Sequence, residues 1–494
     1  MDGLSNFISE VSMKGLSVSE KQNGVGLALT TDFYELTMAA AYYHNKYYER
    51  ECGVPAREIK GIFELFVRKL PRNRSYMVTA GLEQVLHFLM NMKFSSKQIS
   101  YLRSTDAFKN VGEEFFEYLK RLNFSGSVWA IPEGTVVFPY EPIIRIEAPI
   151  IEGQIAETYI LAMANFQSLI ASKASRIVTA AKGKPIIEFG SRRAHGPQAA
   201  LLAARASYIG GCVGTSNTLA GYKLGVPVSG TMAHSYVMFF EKEEEAFIHF
   251  NKIFPSGYLL VDTYDSLAAV RKIIRSRIKA KGIRLDSGDL YSLSVEARGL
   301  LDAAGNTYAD TKIMASGDLD EHVIRALVDR GAPIDSFGVG TELTTSRDDP
   351  AMNGVYKLVA VRKPTRSSAL GKNNKSDMDA DRIVYKIKTS PGKKTYPGPK
   401  QIHRTLENGL LRRDFVALEN EKEIPAGSIP LLKKFVDDGK LLSKAPPVHE
   451  IQKFHLQQVR ILPAQYLDLE SVPETYPVVF SEKLEDLSRR LGPQ

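Results

Sequence analysis

Between Lys184 and about Ala360 the chain repeats one pattern, a short apolar run followed by an amphipathic stretch. The runs fall at residues 185–189, 226–228, 258–261, 282–285, 312–315 and 336–339, and helix-like segments at 197–208, 266–280, 290–303 and 320–330 lie between them. Repeated strand–helix units of this kind predict an α/β core built on parallel strands. The residues just beyond each run narrow the choice further. Arg192, His234, Asp262, Asp286, Asp318 and the pair Gly338 and Gly340 stand where plain turn residues would do. In a barrel the loops after the strands share one face, and chemistry gathers there. An open doubly wound sheet concentrates binding at a single switch point instead. Functional residues at so many strand ends predict an irregular, TIM-like α/β barrel.

A chain of 494 residues exceeds what one core organises, so further units are expected. Residues 1–24 mix Ser, Lys and Glu without an apolar centre and read as a flexible extension, neither signal peptide nor membrane span. Residues 25–153 read as an N-terminal α+β domain, with a strand at 63–67, a helix at 80–92 and a possible strand pair at 127–131 and 136–138. The barrel core is placed at 154–360. Residues 361–494, short elements joined by Pro-containing turns, read as a small C-terminal domain packing on the N-terminal one.

The net charge of +8 suggests a nucleic-acid partner only until it is located. Residues 361–404 hold 12 Lys and Arg against 3 Asp, which leaves the rest of the chain nearly neutral. Within that segment, 367–376 has no apolar period and reads as a solvated loop. No stretch reaches the roughly 18 apolar residues of a membrane span. Only Cys52 and Cys212 are present, which fits a reducing, cytoplasmic setting and excludes a disulfide framework or a Cys-x-x-Cys metal site.

Four clusters carry chemistry. Residues 188–196 end a strand in Gly190 and present Arg192 and Arg193, a geometry suited to phosphate, although arginines there can also pair with surface carboxylates. Residues 214–221 and 228–235 bring Ser216, Thr231 and His234. A lone His after an apolar run is commonly structural, but hydroxyls flank this one, and Asp262 at the next strand end is placed to orient its imidazole. Residues 284–289 and 315–318 supply Arg284, Asp286 and Asp318. Their carboxylates suit ribose hydroxyls or a Mg²⁺-bound pyrophosphate, or serve only as helix N-caps. Residues 337–343 place Gly338, Gly340 and Thr341 at a strand end whose amides can cradle a phosphate, though tight turns need such glycines too.

Taken in order from residues 29–38 to 394–401, these clusters resemble the nicotinate phosphoribosyltransferase family of type II phosphoribosyltransferases. The most specific stretches are 63–68, 188–196, 230–235 and 284–290. The resemblance implies NAD salvage: nicotinate and phosphoribosyl pyrophosphate give nicotinate mononucleotide and pyrophosphate, with Mg²⁺ held mainly through the pyrophosphate. It also implies ATP as co-substrate, through a phosphorylated His234 partnered by Asp262. By resemblance, Thr231 and Arg284 contact nicotinate, and Tyr34 and Phe189 sandwich its ring, Tyr34 coming from the other subunit of a homodimer. Arg192, Asp286, Asp318, Gly338, Gly340 and Thr341 match positions that hold the phosphoribosyl group. The related nicotinamide enzymes carry an aspartate near Ser216, which would repel a carboxylate, and Ser216 departs from them in the direction an acid substrate requires. A Rossmann-like phosphoribosyltransferase is disfavoured because residues 263–266 lack the second acid and the glycine of that signature. A non-catalytic metabolite or RNA binder is the remaining alternative.

Overall fold

In the computed structural model residues 27–363, 382–390, 392–469 and 475–492 are described. The expected extension (1–24) and the loop expected at 367–376 lie outside them. The N-terminal region contributes β1 (Lys60–Val67), β2 (Met77–Val78), β3 (Ser127–Ala130), β4 (Val136–Val137) and β5 (Ile144–Pro149). All but the first residue of β1 are buried. The expected pairing of 127–131 with 136–138 does not occur: β3 pairs with β5, and β4 pairs with β2. Pro132, which has no N–H, and Gly134, at φ 84°, break the ladder between them. The Thr79 and Gly134 amides then draw the chain to β2 by donating to Thr135 O and Thr79 O.

The core is a six-stranded parallel sheet of β6 (Ile186–Glu188), β7 (Gly214–Thr215), β8 (Tyr258–Leu260), β9 (Gly282–Leu285), β10 (Lys312–Ser316) and β11 (Ser336–Val339). Its order is β7-β6-β11-β10-β9-β8, so the last strand returns to pair with the first. That is the cyclic order of a barrel, with the seam open between β7 and β8. The run expected as a strand at 226–228 adds only the bridge from Val228 to Thr215, because Pro227 cannot donate to a ladder. The helices Pro197–Ile209, Leu290–Ala303 and Glu321–Asp329 follow expectation. Helix Ser266–Arg275 stops short of residue 280, where Arg277 turns to φ 53°.

The rest of the chain returns to the N-terminal domain through β12 (Gly354–Lys363), β13 (Arg382–Tyr385), β14 (Lys400–Glu407), β15 (Leu410–Leu418), β16 (Ile429–Pro430), β17 (Lys433–Asp437), β18 (Lys440–Leu441) and β19 (Val478–Phe480). The antiparallel sheet β13-β12-β1-β5-β3-β17-β18 thus interleaves early and late strands, while β16-β14-β15-β19 forms a second sheet. Because β12 pairs along all of β1, from Lys60 opposite Arg362 to Val67 opposite Gly354, the core ends before residue 354 rather than at 360. Several cations of the basic segment are core ion pairs: Lys400 Nζ lies 2.7 Å from Glu64 and Arg404 Nη2 2.6 Å from Asp414.

The 24-residue helix Glu157–Ala180 joins the two units. Its Ser172 and Ser168 hydroxyls accept from the amides of Val78 and Ala80 at 2.9 and 3.0 Å. On the barrel side Lys173 Nζ lies 2.6 Å from Glu321 and 3.1 Å from Asp348, Arg176 Nε lies 3.1 Å from Glu321, and Arg74 Nη1 lies 2.7 Å from Asp348. Burial opposes ionisation of Glu321 and Asp348. Lys173 and Arg176 around the first, and Arg74 and Lys173 around the second, nevertheless hold both carboxyls below the usual range. Glu321→Gln should cost about 3 kcal/mol by leaving buried cations uncompensated, read as a lower urea midpoint at neutral pH. A depressed native pKa stabilises fully above the unfolded value, near pH 4–5, and that contribution is lost as pH falls through the native one. The variant should therefore lose less stability on acidification than the parent, and an equal loss would contradict this account.

Candidate active site

The carboxyl ends of β6, β9, β10 and β11 enclose a cavity of about 230 Å³. Of the residues singled out in the sequence, Phe189, Arg192, Arg284, Asp286, Asp318, Gly338, Gly340 and Thr341 line it. Arg193, Ser316 and Glu342 line it as well. Helix capping does not compete for the two lining aspartates. Asp289 and Asp320, not Asp286 and Asp318, accept the first amides of the following helices. Asp318 is left exposed at φ 39°, a conformation uncommon outside glycine and concentrated at functional sites.

Arg284 is held at all three of its guanidinium nitrogens. Its Nε donates to Ser316 Oγ at 2.7 Å, Nη1 to Thr231 Oγ1 at 3.1 Å and Nη2 to Asp286 Oδ1 at 2.6 Å. Ser316 in turn donates to Asp286. The guanidinium carbon stands 5.3 Å from the centroid of the Phe189 ring. A β-carbon on Gly338 would collide with the Phe189 ring, which needs that space to lie over the strand. Burial works against the charged form of Asp286, but Ser316, Arg284 and His234 together hold its carboxyl below the usual carboxylate range.

His234 begins a short helix, His234–Met238, beside this cluster. Its Nε2 lies 3.9 Å from Asp286 Oδ2 and its Nδ1 lies 3.2 Å from Thr263 Oγ1. The expected imidazole partner, Asp262, is near but hydrogen-bonded elsewhere. Its Oδ2 accepts from Ser287 Oγ at 2.6 Å, and its Oδ1 is buried without a partner. The neighbouring residue takes the Nδ1 position because Asp262 turns toward the β9 end. One ligand atom each of His234, Asp262 and Asp286 nonetheless lies within 4.8 Å of the others.

Ser216 follows β7, with its amide donating to Glu188 O at 2.8 Å, but it does not line the cavity. Tyr34 does not line it either. It stands about half exposed, next to Phe33 in the same state, and burial with Glu157, Glu35 and Asp32 pushes its phenol up to about 12. Sequence reasoning missed the parts of Thr263 and Ser316. Ser316 sits inside a recognisable motif, yet only its position opposite Arg284 on the neighbouring strand reveals its work.

The N-terminal domain of nicotinate phosphoribosyltransferase matches residues 29–165, the nicotinate phosphoribosyltransferase family matches 185–396, and the C-terminal domain of the same enzymes matches 419–488. A nicotinate phosphoribosyltransferase of Mycobacterium tuberculosis is 41% identical over 92% of both chains, and that of Bacillus subtilis is 39% identical over 92% of this chain and 93% of its own. The crystal structure of human nicotinic acid phosphoribosyltransferase superposes with a TM-score of 0.78 at 26% identity, covering 93% of this chain and 99% of the human one. With all three of its regions matched and the strand-end residues gathered in one cavity, the chain belongs to the nicotinate phosphoribosyltransferase family.

Proposed function

We propose that this protein transfers the phosphoribosyl group of phosphoribosyl pyrophosphate to nicotinate in NAD salvage. The observation that carries the reading is the Arg284 guanidinium, fixed by Thr231, Ser316 and Asp286 over the Phe189 ring inside the cavity. A flat aromatic anion needs an apolar wall and a preoriented cation, and N–H donors on both terminal nitrogens of Arg284 remain for a carboxylate. Arg192 and Thr341 on the same cavity wall suit the phosphate of the ribosyl donor.

In the reaction the pyridine nitrogen attacks the anomeric carbon. The bond to pyrophosphate breaks, and pyrophosphate leaves with the electron pair. Asp286 and Asp318 provide negative charge beside the oxocarbenium character that develops. Mg²⁺ suits this donor set: Asp286 and the unpartnered, buried Asp262 Oδ1 offer hard oxygens. When bound with pyrophosphate it neutralises charge on the leaving group. ATP enters by transferring its γ-phosphoryl group to His234, a half-exposed imidazole whose Nδ1 is steadied by Thr263, while the bond to the β-phosphate breaks and ADP leaves with its electron pair. Tyr34, about half exposed and not part of its own chain's cavity lining, suits a homodimer in which it completes the partner's pyridine site. The two cysteines are buried and unpaired, which suits the cytoplasm. Among the described residues no helix is long and apolar enough to cross a membrane.

Nicotinate should be used at least about a hundredfold better than nicotinamide in kcat/KM, because an amide leaves Arg284 without its anion. Ser216→Asp should raise the nicotinate KM about tenfold, equivalent to roughly 1.4 kcal/mol of like-charge repulsion. Pyrophosphate release measured with both bases decides the matter, and equal turnover of the two would refute the proposed substrate.

Incubation with γ-labelled ATP should leave an acid-labile, base-stable phosphate on the protein, absent from His234→Ala. That variant should keep slow, ATP-independent transfer, and Thr263→Val should label more slowly than the parent. Acid-stable label on another residue would remove His234 from this role.

If Tyr34 serves the neighbouring subunit, His234→Ala and Tyr34→Ala chains, each without ATP-stimulated turnover, should regain it when mixed, through hybrid dimers with one intact site. Exchange of subunits without any recovery of turnover would rule out a shared site.

A further inference from the structure

One strongly placed carboxylate takes no part in the proposed chemistry. Glu188, at the end of β6, is 1% exposed. It accepts hydrogen bonds from the Gly190 amide, from Thr344 Oγ1 at 3.0 Å and from Thr215 Oγ1, while its backbone oxygen accepts from the Ser216 amide at 2.8 Å. These donors come from three separate strand ends. Gly190 opens the loop of Phe189 and Arg192, Thr215 ends β7 beside Ser216, and Thr344 belongs to the helix Thr341–Thr345 after β11.

We propose that Glu188 is a positioning residue, whose buried carboxylate holds the base-binding and phosphate-binding loops at a fixed distance from each other. The inference rests on the proposed nicotinate and phosphoribosyl pyrophosphate substrates. Close packing at the same junction supports it independently of the hydrogen bonds. A β-carbon on Gly190 would collide with the Thr344 hydroxyl and come within 2.8 Å of Gly340 O, so the β6 and β11 loops are pressed together where Glu188 links them. The Phe189 amide, donating to Val339 O at 2.7 Å, adds a third tie. Among the described residues no cation pairs with Glu188, and burial pushes its carboxyl above the usual range, a costly choice for a group that only fills space. The two carboxylate oxygens give each of the three converging donors an acceptor.

The test pairs amide hydrogen exchange with steady-state kinetics. Glu188→Ala should accelerate exchange by about tenfold at residues 189–193, 215–217 and 341–345, with β1 and β12 unchanged. Thr344→Val should raise the KM for phosphoribosyl pyrophosphate by about tenfold and leave that for nicotinate within about twofold. Thr215→Val should do the reverse, and Glu188→Ala should raise both. Adding Thr344→Val to Glu188→Ala should change the phosphoribosyl pyrophosphate KM no further, since both remove one link. Glu188→Gln should restore near-parental constants, because its oxygen still accepts from Gly190 and Thr344 while its amide donates to Thr215. A parent enzyme without turnover would defeat the substrate reading, and the exchange pattern would still judge Glu188. Unchanged exchange with parental KM values in Glu188→Ala, or in Thr344→Val should the former not fold, overturns the proposal. So does a uniform loss of activity and stability that Glu188→Gln fails to rescue.

Discussion

The buried Glu321 carboxylate is the point at which the two halves of the molecule are tied. Lys173 and Arg176 reach it from the helix Glu157–Ala180, and Glu321 itself opens the helix that follows β10. Through Lys173 and Arg74 the same cluster holds Asp348, in the loop after the Thr341–Thr345 helix. Two strand-end segments that line the cavity are thereby referred to one rigid helix. Low dielectric makes such contacts strong when complete and damaging when one partner is missing, so the cluster acts as a single unit.

Above that foundation the site follows from the cyclic strand order. Parallel strands direct their carboxyl ends to one face, so Phe189, Arg284, Asp286, Asp318 and Thr341 meet although they are scattered over more than a hundred residues of sequence. The open seam between β7 and β8 falls beside the loop that carries Thr231 and His234. Freed from a regular ladder, that stretch can bring Thr231 to Arg284 and set His234 against Thr263.

Most of this is legible in the sequence where a residue's position alone determines its surroundings. An aspartate one or two residues past a buried strand must emerge on the functional face, and so Asp262, Asp286 and Asp318 are readable. The β12 boundary is not, because an apolar run after the barrel gives no sign that its ladder partner is β1, some three hundred residues earlier. The imidazole partner escapes sequence reasoning for a similar reason. Whether Asp262 or Thr263 meets His234 depends on Ser287, which turns the carboxylate away, and that residue belongs to another strand end. Ser316 and Glu188 likewise draw their meaning from neighbours that no spacing rule foresees.

The interleaved antiparallel sheet also governs how the chain comes to be folded. The barrel strands β6 to β11 arise from one continuous stretch and can assemble as soon as it leaves the ribosome. In the sheet around β1, the early strands β1, β5 and β3 can pair with one another, but the outer edges of β1 and β3 have to wait for β12 and β17. Closing such distant pairings is slow, and the waiting edges are open to wrong partners. Biosynthesis of this protein is therefore most vulnerable to aggregation in the interval between emergence of β5 and β12, when β1, β5 and β3 are made and the strands that cover their two edges are not.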